Sequence, residues 1–289
     1  MALNIKTFKT RSLTAIVFVL VMLTGLFVSH WTFFLLFSII HFGCWSEYVK
    51  IISRIDPEYS QTSSFHRYGV MIAGWCLMLY ATNEAYSIGG FTLSSLGWWM
   101  GLVMIMILPV GEVLFSRQFS IKNIGYSLLG VIYISLSWGM MISLRNSGMI
   151  FKDPGIIDFG WVIPALLIFS IWINDTMAYI VGSLIGRTPF TKISPKKTWE
   201  GTTGGGLLAV GAIALIAEWL ELDIIPCITI ASLAVIFGTL GDLLESKLKR
   251  MAGIKDSGNI MPGHGGFLDR FDSLLLATPT VWVFVYYFN

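Results

Sequence analysis

At 289 residues, 55% of them hydrophobic and 12% charged, with a mean hydropathy of +0.74, the chain is too apolar for an ordinary soluble domain. Three cysteines, Cys44, Cys76 and Cys227, are odd in number and widely spaced, which excludes both a disulfide framework and a zinc site. The formal net charge of only +2 conceals a strong asymmetry, which emerges once the apolar runs are placed.

Nine apolar runs are long enough, or nearly so, to cross a hydrocarbon core of ~30 Å. They are Leu13 to Ser29, Trp31 to Cys44, Tyr68 to Thr82, Leu93 to Phe115, Ile124 to Leu144, Phe159 to Ile185, Thr202 to Leu220, Ile224 to Leu244 and Phe271 to Phe288. The fold class expected is therefore all-α, a polytopic membrane bundle of about nine transmembrane helices. Lys6, Lys9 and Arg11 precede the first run as in a signal peptide, but no small-residue cleavage pattern follows and a second run begins at once, so a retained span is expected. Trp31 to Cys44 and Tyr68 to Thr82 are short, and either is open to a re-entrant or steeply placed reading.

Nine spans put the termini on opposite sides, and the distribution of Lys and Arg in short loops orients them. With the N-terminus cytoplasmic and the C-terminus outside, 17 of the 19 basic residues fall on the inner face, leaving Arg145 and Lys152 outside. The outer loops carry Glu84, Asp153, Asp158, Glu218, Glu221 and Asp223.

Up to about Asn146 the runs are nearly featureless, apart from Glu112 and a few His and Asn residues near their ends. Residues 1–150 are expected to form a transmembrane scaffold of lipid-facing helices. From Asp158 onward the loops become dense in Gly, Pro, Lys and Asp, so residues 151–289 are expected to be the catalytic region, with cytoplasmic loops at 186–201 and 245–270. No internal repeat is evident, which weakens a secondary-transporter reading.

Within that second half, Asp175 interrupts the sixth run beside Trp172, Asn174 and Tyr179. An ionised carboxylate inside a bilayer is costly unless paired, hydrated or bound to metal, so Asp175 is either hydrogen-bonded between helices or a ligand for a metal or a phosphate-bound water. The loop Gly186 to Gly201 contains Pro189 and Pro195, which forbid a continuous helix. It offers Arg187, Lys192, Lys196 and Lys197 as cations, with Ser194 and Thr198 as hydroxyls, a set suited to phosphate; the plainer alternative is a purely topogenic basic loop. Gly201, Gly204, Gly205 and Gly206 at the start of the seventh run, with Gly182 and Gly186 at the end of the sixth, point to close helix packing.

Asp242 and Glu245 lie three apart, hence on one helical face, followed by Ser246, Lys249 and Arg250. They form either a structural ion-pair cluster or a hard-cation site, since magnesium takes one or two carboxylates and leaves positions for water and phosphate. The next loop holds Lys255, Asp256, Ser257, Gly258 and Asn259. His264 follows, flanked by Gly263, Gly265 and Gly266, whose missing side chains permit close backbone approach to a ligand. Asp269, Arg270 and Asp272 begin the last run, as capping residues or as part of a site.

The block Ser246 to Asp272 resembles the signature of the phosphatidate cytidylyltransferases, or CDP-diacylglycerol synthases: Ser-x-apolar-Lys-Arg, then Lys-Asp-x-Gly, then Pro-x-His-Gly-Gly-apolar-x-Asp-Arg-apolar-Asp. The upstream runs Asp175 to Tyr179 and Ser194 to Gly201 look like motifs of the same family, in the same order. Met261 before Pro262 is a conservative departure.

The resemblance implies transfer of a cytidylyl group from CTP to phosphatidic acid, giving CDP-diacylglycerol and pyrophosphate. It implies Mg2+ as cofactor, with K+ often the second ion, and no nucleic-acid partner. It further implies that Asp242, Asp269, Asp175 and Asp272 hold the metal and that Lys196, Lys197, Lys255 and Arg270 neutralise phosphates. Glu200 and His264 contact phosphate or support groups that do, and Ser194, Thr198, Ser246, Lys249, Arg250, Gly265 and Gly266 bind substrate. The location implied is the inner (plasma) membrane of a bacterium, with the active site facing the cytoplasm and the bilayer as partner; pairing as a homodimer is compatible with a bundle of this size. Two alternatives stand beside it: a relative acting on a different lipid phosphate, and a secondary membrane transporter, whose path would need polar groups near the midplane and on both faces.

Overall fold

The computed structural model describes residues 5–115, 120–152, 155–260 and 265–288. Among these, regular structure is almost entirely helical. We number nine helices: α1 Ile5–Phe27, α2 His30–Ile55, α3 Ser64–Tyr80, α4 Leu93–Phe115, α5 Ile121–Ser147, α6 Val162–Ile185, α7 Trp199–Trp219, α8 Ile224–Met251 and α9 Leu268–Tyr287. The two antiparallel strand pairs, Ser87–Ile88 with Phe91–Thr92 and Met149–Lys152 with Gly155–Asp158, are connectors.

Helix starts follow local chemistry. Ser29 caps α2 in a capping box, its hydroxyl accepting from Thr32 N at 3.1 Å while Thr32 Oγ1 accepts from Ser29 N. Ser63 caps α3, Thr198 caps α7 and Asp223 caps α8 by the same side-chain-to-amide bond.

The chain is a polytopic helical membrane protein. Helices α2, α4, α5, α6, α7 and α8 are long and apolar enough to cross a membrane by length and composition; α3, with 17 residues, is shorter, and α9 carries Asp269, Arg270 and Asp272 in its first turns. Helix α4 leaves Trp99, Ile105, Met106, Val113 and Leu114 exposed, an apolar surface suited to lipid and unsuited to water. The second apolar run, read as short, belongs to a helix of 26 residues, because winding continues past Cys44 through Ser46, Glu47 and Lys50 to Ile55.

Buried polar groups tie the helices together. Glu112 of α4 meets His66 Nδ1 of α3 at 2.7 Å, and His66 Nε2 meets Ser127 Oγ of α5 at 2.7 Å. The middle of α5, Val131–Leu136, is a π-helical turn. There Ser135 Oγ accepts from Trp45 Nε1 at 2.8 Å and lies 3.0 Å from His41 Nε2. Arg145, 1% exposed, forms two hydrogen bonds to Asp158, at 2.5 and 2.6 Å.

The second half packs as two close pairs, α6 on α7 and α8 on α9, with α7 and α6 also against α8. Glycines make the first pair tight: a Cβ at Gly205 would lie 2.6 Å from Ala178 N, and one at Gly201 would lie 2.7 Å from Ala178 O. The packing reading of this glycine stripe is the one the structure adopts.

Candidate active site

Between α6, the loop before α7, α8 and the start of α9 lies a cavity of about 520 Å³. Each wall contributes charged or polar groups for a local reason. Asn174 and Asp175 come from the middle of α6; Lys196, Lys197 and Thr198 from the loop; Thr239 and Asp242 from α8; Asp269, Asp272 and Ser273 from α9.

The loop keeps its shape through Glu200, whose carboxylate accepts from the backbone N–H groups of Arg187 and Thr188, each at 3.2 Å, and from Thr188 Oγ1 at 2.8 Å. Trp199 N donates to Thr188 O and Phe190 N to Lys197 O, with the Phe190 and Trp199 rings edge to face at 4.6 Å. Two prolines and this pinning leave Lys196 and Lys197 at the cavity wall instead of in a continuing helix.

Asp242 and Asp272 of the cavity wall and Glu245, buried behind it, each place a carboxylate oxygen within 4.8 Å of the others. Lys197 forms an ion pair with Asp242, Lys249 pairs with Glu245 one turn away, and Lys249 Nζ also meets Asp269 Oδ1 at 2.5 Å. Glu245 is fully buried, and its Oε1 has no hydrogen-bond partner among the described residues; the same is true of Asn174 Oδ1 at the cavity wall. A buried acceptor without a donor is uncommon, and hard oxygen donors grouped this closely suit a hard divalent cation. The residues present therefore fit a hard cation, with Asp272 joining the Asp242 and Glu245 pair that their spacing had offered for such a site.

Asp269, also in the cavity wall, orders the loop. Its Oδ2 accepts from Ser257 N at 2.8 Å, Gly266 N at 2.8 Å and Ser257 Oγ at 2.9 Å, so its carboxylate gathers the signature loop. Gly265 has φ +82, a left-handed conformation that favours glycine, and a side chain there would also crowd Asp269. Gly265 brings the backbone close to the Asp269 carboxylate.

A residue of the first half completes the loop. Glu47 of α2, 4% exposed, accepts from Ser257 Oγ at 2.6 Å, Phe267 N at 3.0 Å and Leu268 N at 2.8 Å. A Cβ at Gly258 or Gly266 would overlap its carboxylate. Sequence reasoning missed Glu47 because the apolar run ends at Cys44, so the acid read as a loop residue; an acid in a span, had α2 been drawn to its full length, would have been flagged.

Of the other residues expected at the site, Ser246 Oγ donates to Asp242 Oδ1 at 3.3 Å. Ser194, Arg250, Lys255 and Arg270 are not among the cavity-lining residues; Arg250 donates to Ile254 O at 3.0 Å, and Lys255 and Arg270 are exposed. His264 lies outside the described residues.

A membrane-embedded helical bundle holding acids and lysines around one cavity defines a class: an enzyme handling phosphates at a bilayer. Known proteins make the class specific. The cytidylyltransferase family matches residues 9–288, and the chain belongs to that family, which makes it a nucleotidyltransferase. It is 33% identical to a phosphatidate cytidylyltransferase of Bacillus subtilis (strain 168) over 218 residues, 74% of this chain and 76% of that protein. It is 36% identical to one from Staphylococcus haemolyticus (strain JCSC1435) over 181 residues, 62% of this chain and 65% of the relative. One from Staphylococcus saprophyticus (strain ATCC 15305) is 33% identical over 215 residues, 73% and 76% of the two chains.

Proposed function

We propose that the chain transfers the cytidylyl group of CTP to phosphatidic acid, forming CDP-diacylglycerol and pyrophosphate, with magnesium bound at Asp242, Glu245 and Asp272 and the cavity facing the cytoplasm of a bacterial cell. The observation that carries this reading is the cavity wall itself. Four carboxylates, Asp175, Asp242, Asp269 and Asp272, face two lysines, Lys196 and Lys197. A triphosphate and a lipid phosphate do not enter an acidic cavity unless cations reverse its sign, so the acids argue for metal and the lysines for phosphate.

An oxygen of the lipid phosphate attacks the nucleotide α-phosphorus, and the bond from that phosphorus to the bridging oxygen of the β-phosphate breaks, releasing pyrophosphate. Because the nucleophile is already anionic at neutral pH, no serine, cysteine or strong base is required. When bound, the metal supplies charge neutralisation at the transferring phosphate. The rest falls to positioning and electrostatics. Lys196 and Lys197 bring positive charge to one side of the cavity, while Glu200 keeps their loop from straightening. Lys249 joins Glu245 of the acidic cluster to Asp269, so the cluster and the signature loop hold a fixed relation. The inward orientation rests on the 17 basic residues of one face, which include this loop.

Purified protein given labelled CTP, phosphatidic acid and magnesium should yield a CDP-lipid and pyrophosphate in equal amounts. Absence of any nucleotide-lipid product with folded protein would refute the reading.

A further inference from the structure

A second cavity, of about 650 Å³, shares no lining residue with the first. Its walls come from the C-terminal end of α2, the first turn of α3 and the Asp256 to Asn259 part of the signature loop. Lys50 and Arg54, four residues apart, share one face of α2, and Arg67 of α3 converges on the same space. Among the described residues none of the three forms an ion pair. The Nε of Arg67 is buried without a hydrogen-bond partner. Asp256 is the single carboxylate of the wall and is exposed, so three cations face one acid.

A buried guanidinium N–H without an acceptor is uncommon and marks an acceptor supplied from outside the chain. Guanidinium groups match phosphate oxygens in paired hydrogen bonds, and basic pockets between membrane helices at the polar surface take anionic head groups. Ser53 and Asn259 add neutral donors to the wall. Orienting the chain in the bilayer needs positive charge on one side but no convergence of cations from two helices into a cavity, so orientation alone leaves the geometry unexplained. We propose that this cavity is a second anion site, which binds the phosphate of a phosphate ester apart from the catalytic cavity. Ser257 lies in its wall and also bonds Asp269, so an occupant would brace the loop that borders the catalytic cavity.

The ligand chemistry has two sources, the head group of an anionic phospholipid and a free phosphate compound, and two arms separate them. In the first, protein in phosphatidylcholine nanodiscs doped with phosphatidylglycerol is released into native mass spectrometry and the retained phosphatidylglycerol is counted. In the second, inorganic pyrophosphate is titrated into the undoped nanodiscs and binding is followed by phosphorus NMR. Wild type is compared with Lys50→Gln/Arg54→Gln/Arg67→Gln and with the charge-retaining Lys50→Arg/Arg54→Lys/Arg67→Lys. Each interfacial cation contributes roughly fivefold, so the neutral triple variant should bind on the order of 100-fold more weakly, and the charge-retaining one close to wild type. Should the triple variant misfold, Lys50→Gln with Arg54→Gln, both at exposed positions, should still show a loss of about 25-fold. A difference confined to the lipid arm assigns the site to a head group, and one confined to the pyrophosphate arm to a soluble phosphate. Equal binding by wild type and neutral variants in both arms overturns the site. Lys50, Arg54 and Arg67 line only the second cavity, so pyrophosphate held in the catalytic cavity is common to wild type and variants, and the loss between them reads the second site whether or not the catalytic reading holds.

Discussion

Replacing Glu47 tests whether the first half of the chain builds the catalytic site or merely surrounds it. Its carboxylate takes three hydrogen bonds from the signature loop and the start of α9: Ser257 Oγ and Leu268 N on one oxygen, Phe267 N on the other. Glu47→Gln keeps the volume but can accept through only one oxygen. In its better orientation the amide still meets Ser257 and Leu268 and turns an N–H toward Phe267 N, so one buried donor is lost at about 1–3 kcal/mol. Glu47→Ala leaves all three without the carboxylate, at about 3 kcal/mol or more, and frees the loop from α2. Ser257 would then rely on Asp269 alone, and a displacement of ~1 Å at a positioning residue costs on the order of 100-fold in rate.

We therefore expect kcat for CDP-lipid formation to fall about 100-fold in Glu47→Ala and less in Glu47→Gln, with KM for CTP changed far less. Hydrogen exchange at the amides of Phe267 and Leu268 should quicken in parallel. A purely structural role would lower thermal stability while leaving kcat of the folded fraction intact. Wild-type turnover in Glu47→Ala, with the protein folded in the bilayer, would refute the idea that α2 positions the site.

Three further outcomes are expected. Changing Glu245→Gln or Asp272→Asn should weaken Mn2+ binding, read by electron paramagnetic resonance without substrate, by on the order of tenfold or more; unaltered binding would show that the substituted acid does not hold the cation. Lys196→Gln with Lys197→Gln should cost about 100-fold or more in turnover while leaving a reporter in the 186–201 loop on the cytoplasmic side, and wild-type kinetics would remove the loop from the site. Burial raises the Asp158 carboxyl, but the paired Arg145 guanidinium outweighs it and holds the group below the usual carboxylate range, so its contribution to stability is full above the unfolded value near ~3.9 and is lost as pH falls through the lower folded value. Asp158→Asn, which leaves Arg145 buried and unpaired, should destabilise the protein by about 3–5 kcal/mol in denaturant titration and abolish that acid sensitivity.

Composition and hydropathy by themselves determined that this is a helical membrane protein, because a bilayer accepts a polar backbone only in fully bonded helices and the apolar runs supply them. Local order was equally legible: Thr198 ahead of Trp199 reads as a cap, and the prolines at 189 and 195 as a break, since these effects act within a turn of the chain. The motif residues pointed to phosphate chemistry through their side-chain types alone. Which of them meet was decided only by the packing of distant helices. The spacing of three already put Asp242 and Glu245 on one face, but that Asp272 joins them, and that Asp269 bonds Lys249, Ser257 and Gly266, follows from how α8, α9 and the loop between them pack. Glu47 stands 210 residues from Ser257 in the chain and bonds it directly. No periodicity or spacing carries such a contact, because a hydrogen bond depends on where α2 lies against α9 in space, and that is set by the burial of all the helices together.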